Sequence, residues 1–393
     1  VPVYLDHAAT TPMRPEAIEA YARALAVVGN PSSIHGHGQQ ARRVLEEARE
    51  AVASTLGCDP IEVVFTSGGT EAVNLAIKGF YWARNASASR PRILVPGGEH
   101  HATVDAVGWL ESAEGAQPDW LPLDREGRIR PVTVQHPDDV ALLTFLAVNN
   151  EVGTVQPVEA LAAAGREAGI PVHVDAVAAY GHLPLDARAL GVDALSVSAH
   201  KIGGPVGIGA LVLSRTSSVV PLIHGGGQQR QVRSGTQDVA AAVAFAVAAR
   251  AAADELQAEA TRLSALRDRL IAGVREAVPE AVLSGPEPAS GERVASNAHF
   301  MFPGAQGDSL LFLLDLAGIS VSTGSACQAG VLEPSHVLLA MGRSEREARS
   351  ALRFTLGRTS TEAEVDALVA ALPGAYAQAA RAGLAERAPR LGA

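Results

Sequence analysis

Between about residues 60 and 215 the chain alternates short apolar runs with segments of helical periodicity, and this alternation most narrows the folds open to it. The β-rich runs are "EVVFTS" (62–67), "RILVP" (92–96), "VALLTFLAV" (140–148), "IPVHVDAV" (170–177), "ALSVSAH" (194–200) and "GALVLS" (209–214). Helical stretches such as "TEAVNLAIKGFYWARN" and "PVEALAAAGREAG" lie between them. Continuously apolar strands separated by helices predict an α/β fold, with a mainly parallel sheet covered on both faces. The pattern then changes. An alanine-rich buried helix is expected at 239–253 and a second long helix at 253–278. After these come strands near 297–302 and 319–327 and helices near 307–318, 335–341 and 361–372, predicting a smaller α+β domain that starts near 255. A chain of 393 residues is long enough for two such domains.

No apolar run reaches the length of a spanning helix, and the opening "VPVYLDHAATTP" has neither basic patch nor apolar stretch, so a cytoplasmic protein without membrane contact is expected. The net charge of −10 argues against direct nucleic-acid binding. Two cysteines, Cys58 and Cys327, are too few for a disulfide framework or a cysteine-rich zinc site.

Ligands of open parallel sheets bind beyond the carboxyl ends of the strands, where several polar clusters fall. "FTSGGTEAVN" reads as strand, Gly pair and helix start, with Gly69 and Thr70 at a phosphate-binding first turn; a capped helix after a tight turn fits equally. Asp175 ends an apolar strand, where it serves either a protonated pyridine nitrogen or a structural cap. His100 and His101 follow another strand, and one could stack on a planar cofactor or shuttle protons. "SVSAHKIGGP" brings Ser198 and His200 as phosphate donors and Lys201 as an amine. Only Lys78 and Lys201 are lysines against thirty arginines, which codon bias would also produce. Unlike arginine, lysine can lose its proton and become a nucleophile. Lys78 sits near a helix C-terminus, a favourable place for any cation. Cys327, in the Ser/Gly/Ala-rich "VSTGSACQAGVLEP", is the thiol suited to sulfur transfer, whereas Cys58 reads as a small turn residue.

A phosphate cradle, a strand-end Asp, a strand-end Lys and a loop His suggest pyridoxal 5'-phosphate. The ordered motifs "YLDHAATTP", "GNPSSIHGHG", "FTSGGTEAVNLAIKG", "EHHA", "NNEVGTVQP", "SAHKIGGPVGIGAL", "GGGQQRQVRSGT", "STGSAC" and "LRFTLGR" resemble the cysteine desulfurases, nearly end to end. The long stretch after the cysteine is similar to the branch serving nitrogenase maturation and general iron–sulfur assembly. The resemblance implies the fold-type I architecture of class V aminotransferases, with a sheet of the seven-stranded type, and a homodimer. It implies a large domain over 14–255 and a small one formed by 1–13 with 256–393. It implies L-cysteine as substrate and a sulfur-acceptor protein as partner, feeding iron–sulfur clusters, RNA thionucleosides or DNA phosphorothioation; in the last case the chain is similar to actinobacterial enzymes. By motif, Lys201 would form the Schiff base, Asp175 meet the pyridine nitrogen and His100 stack on the ring. Gly69, Thr70, Ser198 and His200 would hold the phosphate, joined by Thr236 from the partner subunit. Asn150, counted also among the cofactor contacts, and Arg353 would hold the substrate carboxylate, and Cys327 would take the sulfur.

Two positions depart from the family pattern. Ala178 stands where a Gln usually donates to the cofactor's phenolic oxygen, so a water or another side chain must substitute, or turnover suffers. Gln229 stands where an acid is common. Two other readings remain: a transaminase, selenocysteine lyase or cysteine-sulfinate lyase that makes no use of Cys327, and a weakly active cofactor-binding scaffold that recruits partners.

Overall fold

A computed structural model describes residues 2–324 and 333–385. Its strands in chain order are β1 (Val3–Tyr4), β2 (Val63–Thr66), β3 (Arg92–Pro96), β4 (Gln117–Leu121), β5 (Val140–Leu146) and β6 (Val172–Asp175). They continue with β7 (Ala194–Ser198), β8 (Gly209–Leu213), β9 (Val282–Leu283), β10 (Asn297–Met301), β11 (Ile319–Ser320) and β12 (Ala351–Thr355). Seven form the main sheet in the order β2-β8-β7-β6-β5-β3-β4. The pairs among β3 to β7 are parallel, while β8 runs antiparallel to both its neighbours, β2 and β7. Six strands therefore point the same way and deliver their carboxyl ends to one edge of the sheet.

All six runs predicted as strands are strands, Arg92–Pro96 over its full predicted length and the other five shortened at one end or both. β4 escaped prediction: "QPDWL" contains Pro118, lacks a fully buried face and pairs only with β3, as suits an edge strand. A second difference lies at 239–277, where the two expected helices are one continuous helix, Val239–Ala277. Asp238 caps it, accepting from the Ala241 N–H at 2.9 Å. Its alanine-rich first half packs with the main sheet, and Leu263, Leu266, Leu270, Ile271 and Val274 join a second apolar cluster with Val3, Leu5, Phe300, Phe354 and Leu368. No helix among the described residues is long and apolar enough to cross a membrane.

Gln229 has a structural reason to be an amide. β2 is a sheet edge, and the Gln229 side chain accepts from Phe65 N at 2.7 Å and donates to Phe65 O at 2.7 Å, as a neighbouring strand would. A carboxylate can accept the first bond but has no proton for the second. Arg49 donates to the same amide oxygen at 3.1 Å. Replacing Gln229 by Ala is expected to lower unfolding free energy by about 1–3 kcal/mol, read from the denaturant midpoint at unchanged m-value.

Candidate active site

The strand ends converge on a cavity of about 420 Å³, within the range of a cofactor site. After β2 the chain turns at Gly68, whose φ of 155° and ψ of −177° favour glycine, and enters the helix Gly69–Asn85. A Cβ on Gly69 would stand 2.7 Å from a Val177 methyl, so the helix start can lie this close to the neighbouring strand end only as glycine. Thr70 follows in the first turn, and the buried Ser198 Oγ at the end of β7 has no hydrogen-bond partner. Free helix N–H groups and an orphaned buried hydroxyl form an anion cradle. His200 lines the same cavity, its Nδ1 3.3 Å from Thr10 Oγ1; burial and then nearby Lys201 push its pKa down to about 4.

Asp175 closes β6. It is buried, its Oδ1 accepts from Val177 N at 2.9 Å, and burial pushes its pKa up to about 6, opposed by that N–H and by Lys201. An acid held here lacks a full countercharge, which a protonated ring nitrogen would supply. Beside it Glu99 is buried and accepts from Leu146 N at 3.1 Å; burial raises its pKa well above the usual carboxylate range, keeping a second negative charge away from Asp175.

His100 caps the helix His101–Glu114: Nδ1 accepts from Ala102 N at 3.0 Å, which leaves the proton on Nε2. Enclosure in the cavity wall and then Lys201 bring its pKa to about 4. Lys201 Nζ donates to the carbonyls of Ala8 and, at 2.9 Å, Ala9. Burial and then Arg353 lower its pKa to about 8, against opposing pulls from Asp175 and Asp6. Arg353, buried on β12, donates to Asp6 Oδ1 at 2.8 Å and to the Asn150 carbonyl at 2.9 Å, while its Nε and the Asn150 Oδ1 are buried without partners. Two orphaned groups side by side at the cavity wall suit a ligand carboxylate and its amine.

Gly69, Thr70, His100, Asn150, Asp175, Ser198, His200, Lys201 and Arg353 thus all line one cavity. Thr236 lies outside it and is exposed. Cys327 falls outside the described residues, although Ser322 and Gly324 before that segment line the cavity. Lys78 stacks over Trp109, its Nζ 4.3 Å from the ring centroid, in a surface role. Cys58 is partly buried and its thiol is pushed up to about 12 by burial and then Glu62, which leaves it inert. Behind Ala178 lies a small cavity of about 40 Å³ flanked by Asn149 and Asn150, with room for the water that the missing Gln would call for. Sequence reasoning missed Asp6 and the Ala8 and Ala9 carbonyls. The first had only its place in "YLDHAATTP" to mark it, and backbone oxygens carry no sequence mark at all.

A nucleophilic amine of lowered pKa, a buried acid for a ring nitrogen and a phosphate cradle, all at the strand ends of an α/β sheet, define a pyridoxal-phosphate enzyme. The chain belongs to the class-V aminotransferase family, whose model matches residues 3–368. It is 52% identical over 387 residues to the "IscS-like cysteine desulfurase" of Mycobacterium tuberculosis, covering 97% of this chain and 98% of the relative. Among solved structures, a "NIFS-like protein" superposes with a TM-score of 0.87 at 34% identity, covering 96% of this chain and 100% of the other. "SspA in complex with cysteine" superposes with a TM-score of 0.76 at 32% identity, covering 90% and 98%.

Proposed function

We propose that the protein is a cysteine desulfurase, converting L-cysteine to L-alanine and passing the sulfur to Cys327 as a persulfide. The convergence of Lys201, Asp175 and Arg353 on one cavity carries the reading, and the relative named as an IscS-like cysteine desulfurase supports the choice of reaction. Pyridoxal phosphate, when bound, supplies the electron sink that makes the Cα proton of an attached amino acid removable.

The protein's own groups divide the remaining work. Gly69, Thr70, Ser198 and His200 would hold the phosphate, and Thr236 of the partner subunit would complete that hold in a homodimer. Asp175 would hold the ring-nitrogen proton in place, and the neutral His100 ring would stack on the cofactor. Arg353, joined by the Asn150 Nδ2 amide group, would anchor the substrate carboxylate and so orient the Cα proton toward Lys201, with Asn150 Oδ1 left for the amine. Lys201, whose free amine rests against the Ala8 and Ala9 carbonyls, would take the Cα proton. The Cys327 thiolate then attacks the substrate sulfur. The new S–S bond forms as the Cβ–S bond breaks, and that bond's electron pair stays with the carbon, which takes up protons and leaves as alanine. A second thiol, on an acceptor protein, would collect the sulfur.

The test is product analysis. The cofactor-loaded enzyme with L-cysteine and excess dithiothreitol should release alanine and sulfide in equal amounts. Pyruvate and ammonia in place of alanine, or no turnover of L-cysteine, would remove the assignment.

A further inference from the structure

Two smaller cavities share Lys201 with the active site. One, of about 40 Å³, lies between Ala178 and His182 and has Asn149, Asn150, Ser296 and Asn297 as polar wall. The other, of about 50 Å³, runs past His7 and His182 toward Glu255 and Glu259 on the helix Val239–Ala277. His7, His182, Lys201 and Leu356 border both. At the far end the Glu255 side chain is 44% exposed, so this end meets solvent.

We propose that these two cavities hold a file of waters carrying protons between the Lys201 amine and bulk solvent at Glu255 and Glu259, by a route separate from the substrate mouth. The inference rests on the reading of Lys201 as the group that takes the Cα proton. Each cavity has the volume of one or two waters, about 30 Å³ apiece in the liquid, and more polar partners than a buried water needs. His182 is half-buried and its backbone N–H donates to the Ala179 carbonyl at 2.9 Å, but its imidazole, which lines both cavities, has no hydrogen-bond partner among the described residues, so water in the cavities is what would satisfy it. His7 is held at both nitrogens, Nδ1 2.8 Å from Thr11 Oγ1 and Nε2 3.3 Å from Ser360 Oγ, and so walls the file rigidly.

The charges facing the file favour neutral histidines. Burial brings both pKa values to about 4; for His7 the neighbouring His182, Arg358 and Arg262 push the same way, while Glu259 opposes at His182. A neutral imidazole offers one donor and one acceptor, the arrangement a water file needs to pass protons in either direction. Glu255 is paired with Arg14 at 2.8 Å, a contact that lowers its pKa, and Glu259 is paired with Arg262 at 2.8 Å, so two ion pairs mark the outer end. When an amino acid fills the main cavity it stands between Lys201 and the mouth. The proton Lys201 has taken then leaves as an ammonium proton to the file, and a solvent proton returns by the same path.

The experiment has two readouts. A crystal structure of the cofactor-loaded enzyme, at a resolution that shows ordered water, should place waters in both cavities. In D2O, the enzyme saturated with L-alanine should exchange the alanine Cα hydrogen for deuterium, followed by NMR. His182→Leu is expected to slow that exchange about tenfold or more, and His182→Gln to restore it. Dry cavities overturn the proposal. So does wild-type exchange in His182→Leu, or a Gln variant as slow as the Leu variant. If His182→Leu does not fold, Ala252→Val, which narrows the second cavity from another wall, is judged by the same slowing. A wild-type enzyme that leaves alanine unexchanged fails the functional reading instead, and the water positions then decide the path alone.

Discussion

The Lys201→Arg enzyme is expected to lose L-cysteine turnover, with kcat down by about 10³-fold or more, while still folding and binding the cofactor non-covalently. Arginine fills a similar volume and can reach the Ala8 and Ala9 carbonyls, so the loss reports chemistry rather than packing. Its guanidinium stays protonated, so it neither attaches to an aldehyde nor accepts the Cα proton. Lysine succeeds here because burial and the nearby Arg353 bring its pKa to about 8. At pH 8 roughly half the amine is then neutral, against well under about 1% for an unperturbed lysine. The sign follows from the same shift: loading of the apoenzyme with pyridoxal phosphate should quicken as pH rises and level off above about 8. Borohydride reduction followed by mass spectrometry checks the variant, since wild type should carry the cofactor covalently on Lys201 and Lys201→Arg should carry none.

The Cys327→Ser enzyme should keep its yellow cofactor and its affinity for L-cysteine but release essentially no sulfide, a fall of about 10²-fold or more. A serine hydroxyl near neutral pH is neither ionised nor soft enough to attack sulfur, whereas a thiolate is both. Arg353, Asn150 and Lys201 act on the substrate before any sulfur moves, so cofactor absorbance should still respond to added L-cysteine. This variant also separates the remaining chemistries. A selenocysteine or cysteine-sulfinate lyase would retain full activity without the thiol, and a scaffold would show little turnover in either form. Sulfide release equal to wild type removes Cys327 from the mechanism.

Much of the site was legible in the sequence because six strands point one way. Once apolar runs are read as parallel strands, their carboxyl ends must share an edge, and Gly69, Asp175, Ser198 and Lys201 follow from their places at strand ends. Arg353 and Asn150 were placed by resemblance alone, since Arg353 comes from a different sheet whose approach no local pattern reveals. The anchor of Lys201 on Ala8 and Ala9 was illegible for a similar reason: it joins a side chain to backbone oxygens more than 190 residues away. The split expected near residue 253 failed on composition. The shift from an alanine-rich run to a Leu- and Arg-bearing one looked like a border, yet no proline or cap interrupts it, and both halves favour helix. β4 was hidden by Pro118 and by the partial exposure that an edge strand permits.

That unbroken helix, Val239–Ala277, makes the two apolar clusters inseparable partners. Its rigid rod begins in one and ends in the other, so neither can loosen without pulling on the axis that orders its neighbour. The two clusters should melt in a single cooperative step. A gene cut near residue 255, where composition invites it, would yield two fragments each ending in half a helix with an uncovered apolar face.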